Sequence, residues 1–153
     1  MQKKEPDMPE DTSADFDLRR FLPYLLNLAA EESSASFQKY YKDRYGMLRT
    51  EWRVLFHLGR YGAMTAKEIC DRARLHKTKV SRAVAALQAK RFLTRSTRAD
   101  DRRHETLDLT VQGRTAYADL LAEAKRFDRA LMSDFSQEEA ILLRQALVRI
   151  AKL

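Results

Sequence analysis

The sequence has few of the residues that cross-link, break or anchor a chain. Its 153 residues include one cysteine, so no disulfide can form within a single chain, as is usual in the reducing cytoplasm. All three prolines lie at or before Pro23, so proline breaks no helix beyond that point. No apolar run reaches the roughly 20 residues that span a bilayer, and the N-terminus lacks the apolar core of a signal peptide. These absences favour a single helix-rich domain in the cytoplasm.

Positive charge is concentrated in one part of the chain. Residues 72–103 contain eleven Lys/Arg and two Asp, a net charge of +9, whereas the whole chain carries +7, so the remainder sums to −2. The fourteen residues 77–90 contain no acidic residue. A protein that is basic in one place offers that place to a polyanion, and duplex DNA is the usual partner.

Apolar spacing predicts a mainly α-helical fold with a small β-wing. The expected elements, in chain order, are helices at 18–46, 50–62, 65–73 and 77–90, strands at 92–97 and 106–109, and two long helices starting at Thr110 and Ser136. Residues 65–68 and 136–139 have the spacing of capping boxes. Thr50 and Thr110 are expected to cap their helices, and Gly62 to end the second helix in a left-handed conformation.

Two short helices joined by a tight turn and followed by a hairpin make a winged helix-turn-helix, whose second helix fits the DNA major groove. On a helical wheel, the apolar residues of that helix lie on one side. The residues expected to contact DNA lie away from that side: Lys77, Thr78, Lys79, Ser81 and Arg82. Their short polar side chains permit close approach, and the guanidinium of Arg82 can form two hydrogen bonds with guanine.

The tip of the hairpin is the second expected DNA contact. Its candidate residues are Arg98, Asp101, Arg102 and Arg103. Arg103 is long enough to enter a minor groove, where narrow A/T-rich tracts concentrate negative potential. Asp101 is expected to brace that guanidinium across the loop. An ordinary charged turn is the alternative, but the position directly after a recognition-type helix favours DNA contact.

Residues 65–113 resemble the MarR (multiple antibiotic resistance regulator) family of bacterial transcription factors. The matching runs are 75–82, 101–103 and 109–113, and residues 50–55 are similar to that family's second helix. The resemblance implies a homodimer with interleaved first, fifth and sixth helices, a palindromic operator in double-stranded DNA, and in many members release by a small phenolic or aromatic acid. Arg91 departs from the pattern, because a glycine commonly ends the recognition helix there.

We expect three parts: a disordered polar N-terminus at 1–15, a helical dimerisation region at 16–46 and 111–153, and a winged helix-turn-helix DNA-binding domain at 47–110. The apolar stripes of the first, fifth and last helices are too extensive to bury against a small winged core. A partner chain is the economical explanation, and a monomeric helical cap is the alternative.

An aromatic carboxylate effector needs apolar walls and one cation. The candidate residues, in the cleft between the dimer helices and the winged domain, are Ser34, Phe37, Tyr41, Trp52, Arg53, Phe56 and Arg74. The alternative is that the aromatic side chains are only core residues. Cys70, beside Ile69 and Ala73, is expected to be a small core residue rather than a redox sensor.

The sequence shows no histidine or cysteine spacing typical of a metal site, and no nucleophile–base pair or phosphate loop. We therefore expect no cofactor and no enzyme activity, but a transcriptional regulator, in particular a repressor released by an aromatic or phenolic ligand. Two alternatives stay open: an architectural DNA-binding protein without an effector, and a winged-helix module that binds an acidic protein.

Overall fold

A computed structural model describes residues 16–98 and 100–153, with the side chains of Arg98 and of residues 101–103 outside that description. The segment 1–15, predicted to be disordered, lies outside the described residues. The chain forms two compact units that divide between Ala35 and Ser36. The recognition helix, the wing and the predicted aromatic site, apart from Ser34, belong to the second unit.

The first unit contains a short 3-10 helix, Leu18–Arg20, and the start of helix α1, Leu22–Tyr45. The sequence predicts one helix from residue 18, but α1 begins four residues later because Pro23 has no N–H and fits only in the first turn of a helix. The apolar side chains of this unit are exposed: Phe16, Leu18, Phe21, Leu22, Tyr24, Leu25 and Leu28.

The second unit confirms the predicted mainly α-helical fold with a β-wing. Its elements after α1 are α2 (Arg49–Tyr61), β1 (Met64–Thr65), α3 (Ala66–Ala73), α4 (Lys77–Ala89), β2 (Leu93–Arg98), β3 (Asp101–Leu109), α5 (Val111–Met132) and α6 (Gln137–Ala151). Apolar residues of α2, α3, α4, α5 and the sheet form one buried core. None of the helices among the described residues is long and apolar enough to cross a membrane.

The sheet has three strands, in the order β1-β3-β2, where the sequence predicts two. β1 pairs antiparallel with β3, with Met64 opposite Leu107, and a two-residue strand is too short to leave an alternating pattern in the sequence. β3 also begins five residues before the predicted Thr106. The start of β3 is polar and shows no alternation of apolar residues. Glu105 forms an ion pair with Arg95 of β2 at 2.9 Å, so polar residues extend the hairpin.

Both predicted capping boxes are confirmed. Thr65 Oγ1 accepts from the Glu68 N–H at 3.2 Å, and Glu68 Oε2 accepts from the Thr65 N–H at 2.8 Å. These bonds to the Thr65 backbone and hydroxyl lower the pKa of Glu68. The box at 136–139 has the same pair of bonds, at 3.1 and 2.8 Å. Thr110 caps α5 by accepting from the Gly113 N–H at 3.0 Å.

The predicted cap at Thr50 is wrong. α2 begins at Arg49, directly after Leu48, which makes no side-chain capping bond, so Thr50 already lies inside the helix. The end of α2 at Gly62 is confirmed, although its angles, φ +81° and ψ −161°, lie outside the left-handed helical region. Arg91 has φ +62°, so this non-glycine residue holds a left-handed conformation at the entrance to the wing.

Candidate nucleic-acid interface

Helix α4 is built so that one face is fixed to the core and the other is free. His76 caps its start, with Nδ1 accepting from the Thr78 N–H at 3.3 Å. The side chains that anchor the helix are fully buried, as the helical wheel predicts: Val80, Ala83, Val84 and Leu87. The four alanines from Ala83 to Ala89 favour helix formation, and their side chains add little bulk to the helix surface.

The predicted contact residues lie together on the exposed surface of α4. All five are exposed: Lys77, Thr78, Lys79, Ser81 and Arg82. None of them has an acidic partner among the ion pairs of the described residues. This unneutralised face, with hydroxyl and guanidinium donors beside each other, suits contacts with phosphates and base edges.

Lys90 does not belong to that free positive face. Its Nζ lies 3.1 Å from Glu51 Oε2, and the Glu51 side chain, from α2, is only 7% exposed. Residues 77–90 contain no acidic residue, but Glu51 of α2 places a carboxylate beside the end of this segment. This ion pair ties the end of the recognition helix to α2, where the buried carboxylate needs a partner.

The predicted wing residues Arg98, Asp101, Arg102 and Arg103 lie on the hairpin, where Arg98 pairs with Asp101 in the strand register. Their side chains fall outside the described residues, so the proposed brace of Arg103 by Asp101 stays a prediction. Arg95, on the adjoining strand, is not free: it contacts Gln88 Oε1 at 2.8 Å and Glu105 at 2.9 Å. These contacts link the base of the wing to α4.

Cys70 is half-buried and packs against the core, but it also lines a cavity of about 360 Å³ between α3 and α4. The other lining residues are Ala66, Lys67, Lys77 and Ser81. Lys67 therefore adds a cation beside two predicted DNA-contact residues. Lys67 is not among the residues predicted from the sequence to contact DNA, although its place in the first turn of α3, directly after the Thr65 cap, indicates an exposed position.

The four aromatic residues predicted for an effector cleft pack against one another. Tyr41 and Trp52 stack with ring centroids 5.9 Å apart, Phe37 meets Trp52 edge-on at 5.3 Å, and Phe56 lies 4.9 Å from Trp52. The Trp52 indole nitrogen is buried without a hydrogen-bond partner in the described part of the chain. A buried N–H without an acceptor is unfavourable, and a ligand that carries an acceptor could satisfy it.

The predicted polar partners of that cleft point elsewhere. The Arg53 guanidinium donates to the carbonyl of Ala73, and burial, followed by the nearby Arg49, lowers its pKa. The Arg74 guanidinium donates to carbonyls at the end of α6. Ser34, in the first unit, donates to the Ala30 carbonyl at 2.6 Å. The structure thus groups the aromatic residues of the predicted site and commits its arginines to backbone carbonyls.

A groove of about 550 Å³ between α1 and α5 opens beside Phe37. Phe37 and Phe127 stack in it at 5.9 Å, and its charged lining is made of Lys39, which pairs with Asp43, and of Arg44 and Glu123. Asp119 of α5 holds Arg44 at 2.9 Å and accepts from Tyr45 at 2.6 Å. Burial and this bond raise the pKa of Tyr45. Aromatic walls and paired cations, predicted around Trp52, therefore meet in the groove on the other side of Phe37.

Comparison with known proteins agrees with this geometry. The profile of the MarR family matches residues 45–104, from the end of α1 to the wing. YwoH of Bacillus subtilis, an uncharacterized HTH-type transcriptional regulator, is 26% identical over 97 residues, which cover 63% of this chain and 70% of YwoH.

Solved structures extend the match beyond residues 45–104 to most of the chain. A MarR family transcriptional regulator from Silicibacter pomeroyi is 27% identical, with a TM-score of 0.74 over 89% of this chain and 99% of its own. BpsR of Bordetella bronchiseptica, whose DNA binding is regulated by 6-hydroxynicotinic acid, is 20% identical, with a TM-score of 0.81 over 90% of this chain and 98% of its own. Residues 45–104 are therefore similar to the MarR family of transcriptional regulators, and the chain has the winged helix-turn-helix fold of a solved member of that family.

Proposed function

We propose that this regulator is a homodimeric repressor that binds a palindromic operator and leaves it when an aromatic or phenolic acid binds. The observation that carries sequence-specific binding is the exposed face of α4, where Arg82 lies among short polar side chains without an acidic partner. Guanidinium groups read guanine, and hydroxyl groups contact bases or phosphates, in the major groove. Residues 47–110 serve as the DNA-binding domain in this proposal.

The apolar surface of α6 supports the dimer. Only Ala140 of this helix is buried within the chain. Its large apolar side chains are 37–63% exposed, and they are Ile141, Leu142, Leu143, Leu147, Val148 and Ile150. An exposed apolar surface of this extent on one helix needs a partner, and a second copy satisfies it by two-fold symmetry. Residues 16–46 and 111–153 then form the dimerisation region, and two recognition helices meet DNA about 34 Å apart.

Arg82→Ala should weaken binding to the operator by about 1–3 kcal/mol and relax the base preference at one position of each half-site. The reason is that Arg82 is exposed on the face opposite the buried Val84. The measurement is affinity for a duplex that the wild-type protein selects from a random pool, compared with an unselected duplex of equal length. Arg82→Lys is the matched control, because lysine keeps the charge but loses the planar fork. An equal loss on both duplexes would make Arg82 a phosphate contact only.

The effector proposal rests on the aromatic cluster at Trp52 and the adjoining groove at Phe37. The buried indole N–H of Trp52, unpaired within the described residues, offers a donor, and the aromatic rings offer walls. A ligand carboxylate would replace Asp43 as the partner of Lys39 or Asp119 as the partner of Arg44. The regulation of BpsR by a hydroxylated aromatic acid makes this ligand class the first to test. A ligand weakens DNA binding only if it prefers a dimer whose recognition helices are wrongly spaced for the operator.

A benzoate, salicylate or hydroxycinnamate that binds should raise the melting temperature and lower operator affinity roughly 5- to 150-fold, the range of a 1–3 kcal/mol coupling. Binding should also quench or shift the fluorescence of Trp52, which is the only tryptophan. Phe37→Ala should reduce the ligand response while leaving affinity for ligand-free DNA near that of the wild type. If no compound at millimolar concentration changes melting, fluorescence or DNA affinity, the effector proposal fails, and an architectural DNA-binding protein becomes the better account.

A further inference from the structure

Arg74 occupies the turn between the two helices of the helix-turn-helix. It is the C-cap of α3, with φ +52° and ψ +49°, and its N–H donates to the Cys70 carbonyl. Two residues later, His76 begins the recognition helix. A left-handed backbone of this kind favours glycine, because the Cβ of other residues crowds the following carbonyl. Arg74 therefore keeps a long side chain at a position whose backbone conformation favours glycine.

The Arg74 side chain reaches the far end of the chain. One guanidinium nitrogen donates to the Ala151 carbonyl and the other to the Lys152 carbonyl at 2.9 Å, across 77 and 78 residues of sequence. These carbonyls belong to the last turn of α6, where backbone acceptors lack helical partners and the helix dipole is negative. A planar guanidinium with parallel donors suits two adjacent carbonyls, and a cation suits that end of the helix.

Helix α6 has little else to hold it to the winged part of its own chain. It buries only Ala140, and its other polar link shown between elements joins Arg144 to Asp128 of α5 at 2.7 Å. Arg74 therefore connects α6, whose large apolar side chains are exposed, directly to the turn that begins α4. Because rigid helices move as units, a bond at this turn relates the orientation of α4 to that of α6.

We propose that Arg74 is a positioning residue for DNA binding: its guanidinium joins the end of the dimerisation helix α6 to the turn before the recognition helix α4. The inference rests on the proposed function, since it takes α6 as part of the dimer and α4 as the helix that reads DNA. In this arrangement, Arg74 helps to set the spacing of the two recognition helices. Arg74 acts through its hydrogen bonds to the end of α6 and not through direct attraction between its charge and DNA.

Arg74→Gly tests this inference, because glycine suits the left-handed backbone while the guanidinium is lost. The variant should fold with a melting temperature no lower than that of the wild type. Affinity for the duplex selected by the wild-type protein should fall about tenfold, because the link that sets the spacing of the two recognition helices is lost. Affinity for an unselected duplex should change by less than about twofold, and the slope of log affinity against log salt should not change.

Arg91→Gly is the matched control. Arg91 is also exposed and left-handed, with φ +62°, so its replacement removes the same charge and the same backbone strain. It should not lower affinity for the selected duplex in preference to the unselected one. Hydrogen exchange gives an independent readout: amides at 151–153 and in the first turn of α4 should exchange faster in Arg74→Gly than in wild type, and unchanged in Arg91→Gly.

Three results would overturn the inference. One is unchanged affinity of Arg74→Gly for the selected duplex. Another is an equal loss on both duplexes with a salt slope lower by about one, which would make Arg74 a phosphate contact. The third is unchanged exchange at 151–153. A wild-type protein that enriches no sequence from the pool would instead overturn the proposed function, and this inference with it.

Discussion

Replacing Gly113 with alanine should destabilise the folded protein by about 3 kcal/mol, through a clash that no nearby flexible group can relieve. A Cβ at this position would lie 2.0 Å from the backbone oxygen of Phe92 and 2.9 Å from its carbonyl carbon. Gly113 lies in the first turn of α5, where alanine would ordinarily stabilise a helix by about 1 kcal/mol. The close approach of α5 to the entrance of the wing therefore reverses the sign of a normally favourable change.

Gly46→Ala is the matched control. Gly46 has φ +62°, but the nearest atom to an added Cβ is Lys90 Cε at 3.9 Å, so the change costs only the backbone strain of about 1–2 kcal/mol. Thermal unfolding at one fixed protein concentration should show Gly113→Ala melting roughly 6–12 °C below wild type and Gly46→Ala less affected. Equal melting temperatures for Gly113→Ala and wild type would show that α5 does not approach Phe92 so closely.

Leu142→Asp should abolish the proposed dimer and lower operator affinity roughly 100-fold or more, because two linked half-site contacts become one. Leu142 is 63% exposed within its own chain, so its loss removes little from the fold of that chain. In a dimer the same side chain is buried, and an aspartate there is a charge without a partner. Sedimentation at micromolar concentration should show a monomer whose helical content matches that of the wild type.

Gln137→Asp adds the same charge at the first position of the same helix, where an acid is favourable and the apolar face is untouched. This control should remain dimeric and bind the selected duplex as the wild type does. A dimeric Leu142→Asp protein with wild-type affinity would place the partner contact elsewhere. A monomeric wild-type protein with full operator affinity would overturn the proposed dimer itself.

Local chemistry explains which features could be predicted from the sequence. The recognition face follows from the 3.6-residue period, because residues about half a turn from Val80 and Val84 must face away from the core. The Thr65 and Thr110 caps depend on residues within three positions of each other. The predicted cap at Thr50 rested on residue type alone. Several neighbouring residues can begin a helix, and here α2 begins at Arg49, one residue before Thr50.

The effector site shows where pattern alone is insufficient. The aromatic residues Phe37, Trp52 and Phe56 follow from helical spacing, and the structure packs them together. The predicted cations, Arg53 and Arg74, rest only on the elements expected to line the cleft. A long arginine side chain is satisfied by whichever acceptor the fold brings near, and for Arg53 that is the Ala73 carbonyl. The charged groups beside Phe37 come instead from other positions of α1 and from α5.

The sequence by itself determined the order of helices, the basic segment and the residues that face outward on the recognition helix, since each depends on spacing or charge within a few residues. Only the tertiary structure decided which of those charges remain free. It pairs Lys90 with Glu51, joins Arg74 to the end of α6, and brings β1 to the wing as a third strand. These contacts join residues that are far apart in the chain, and no periodicity records them, because they arise from the packing of complete elements.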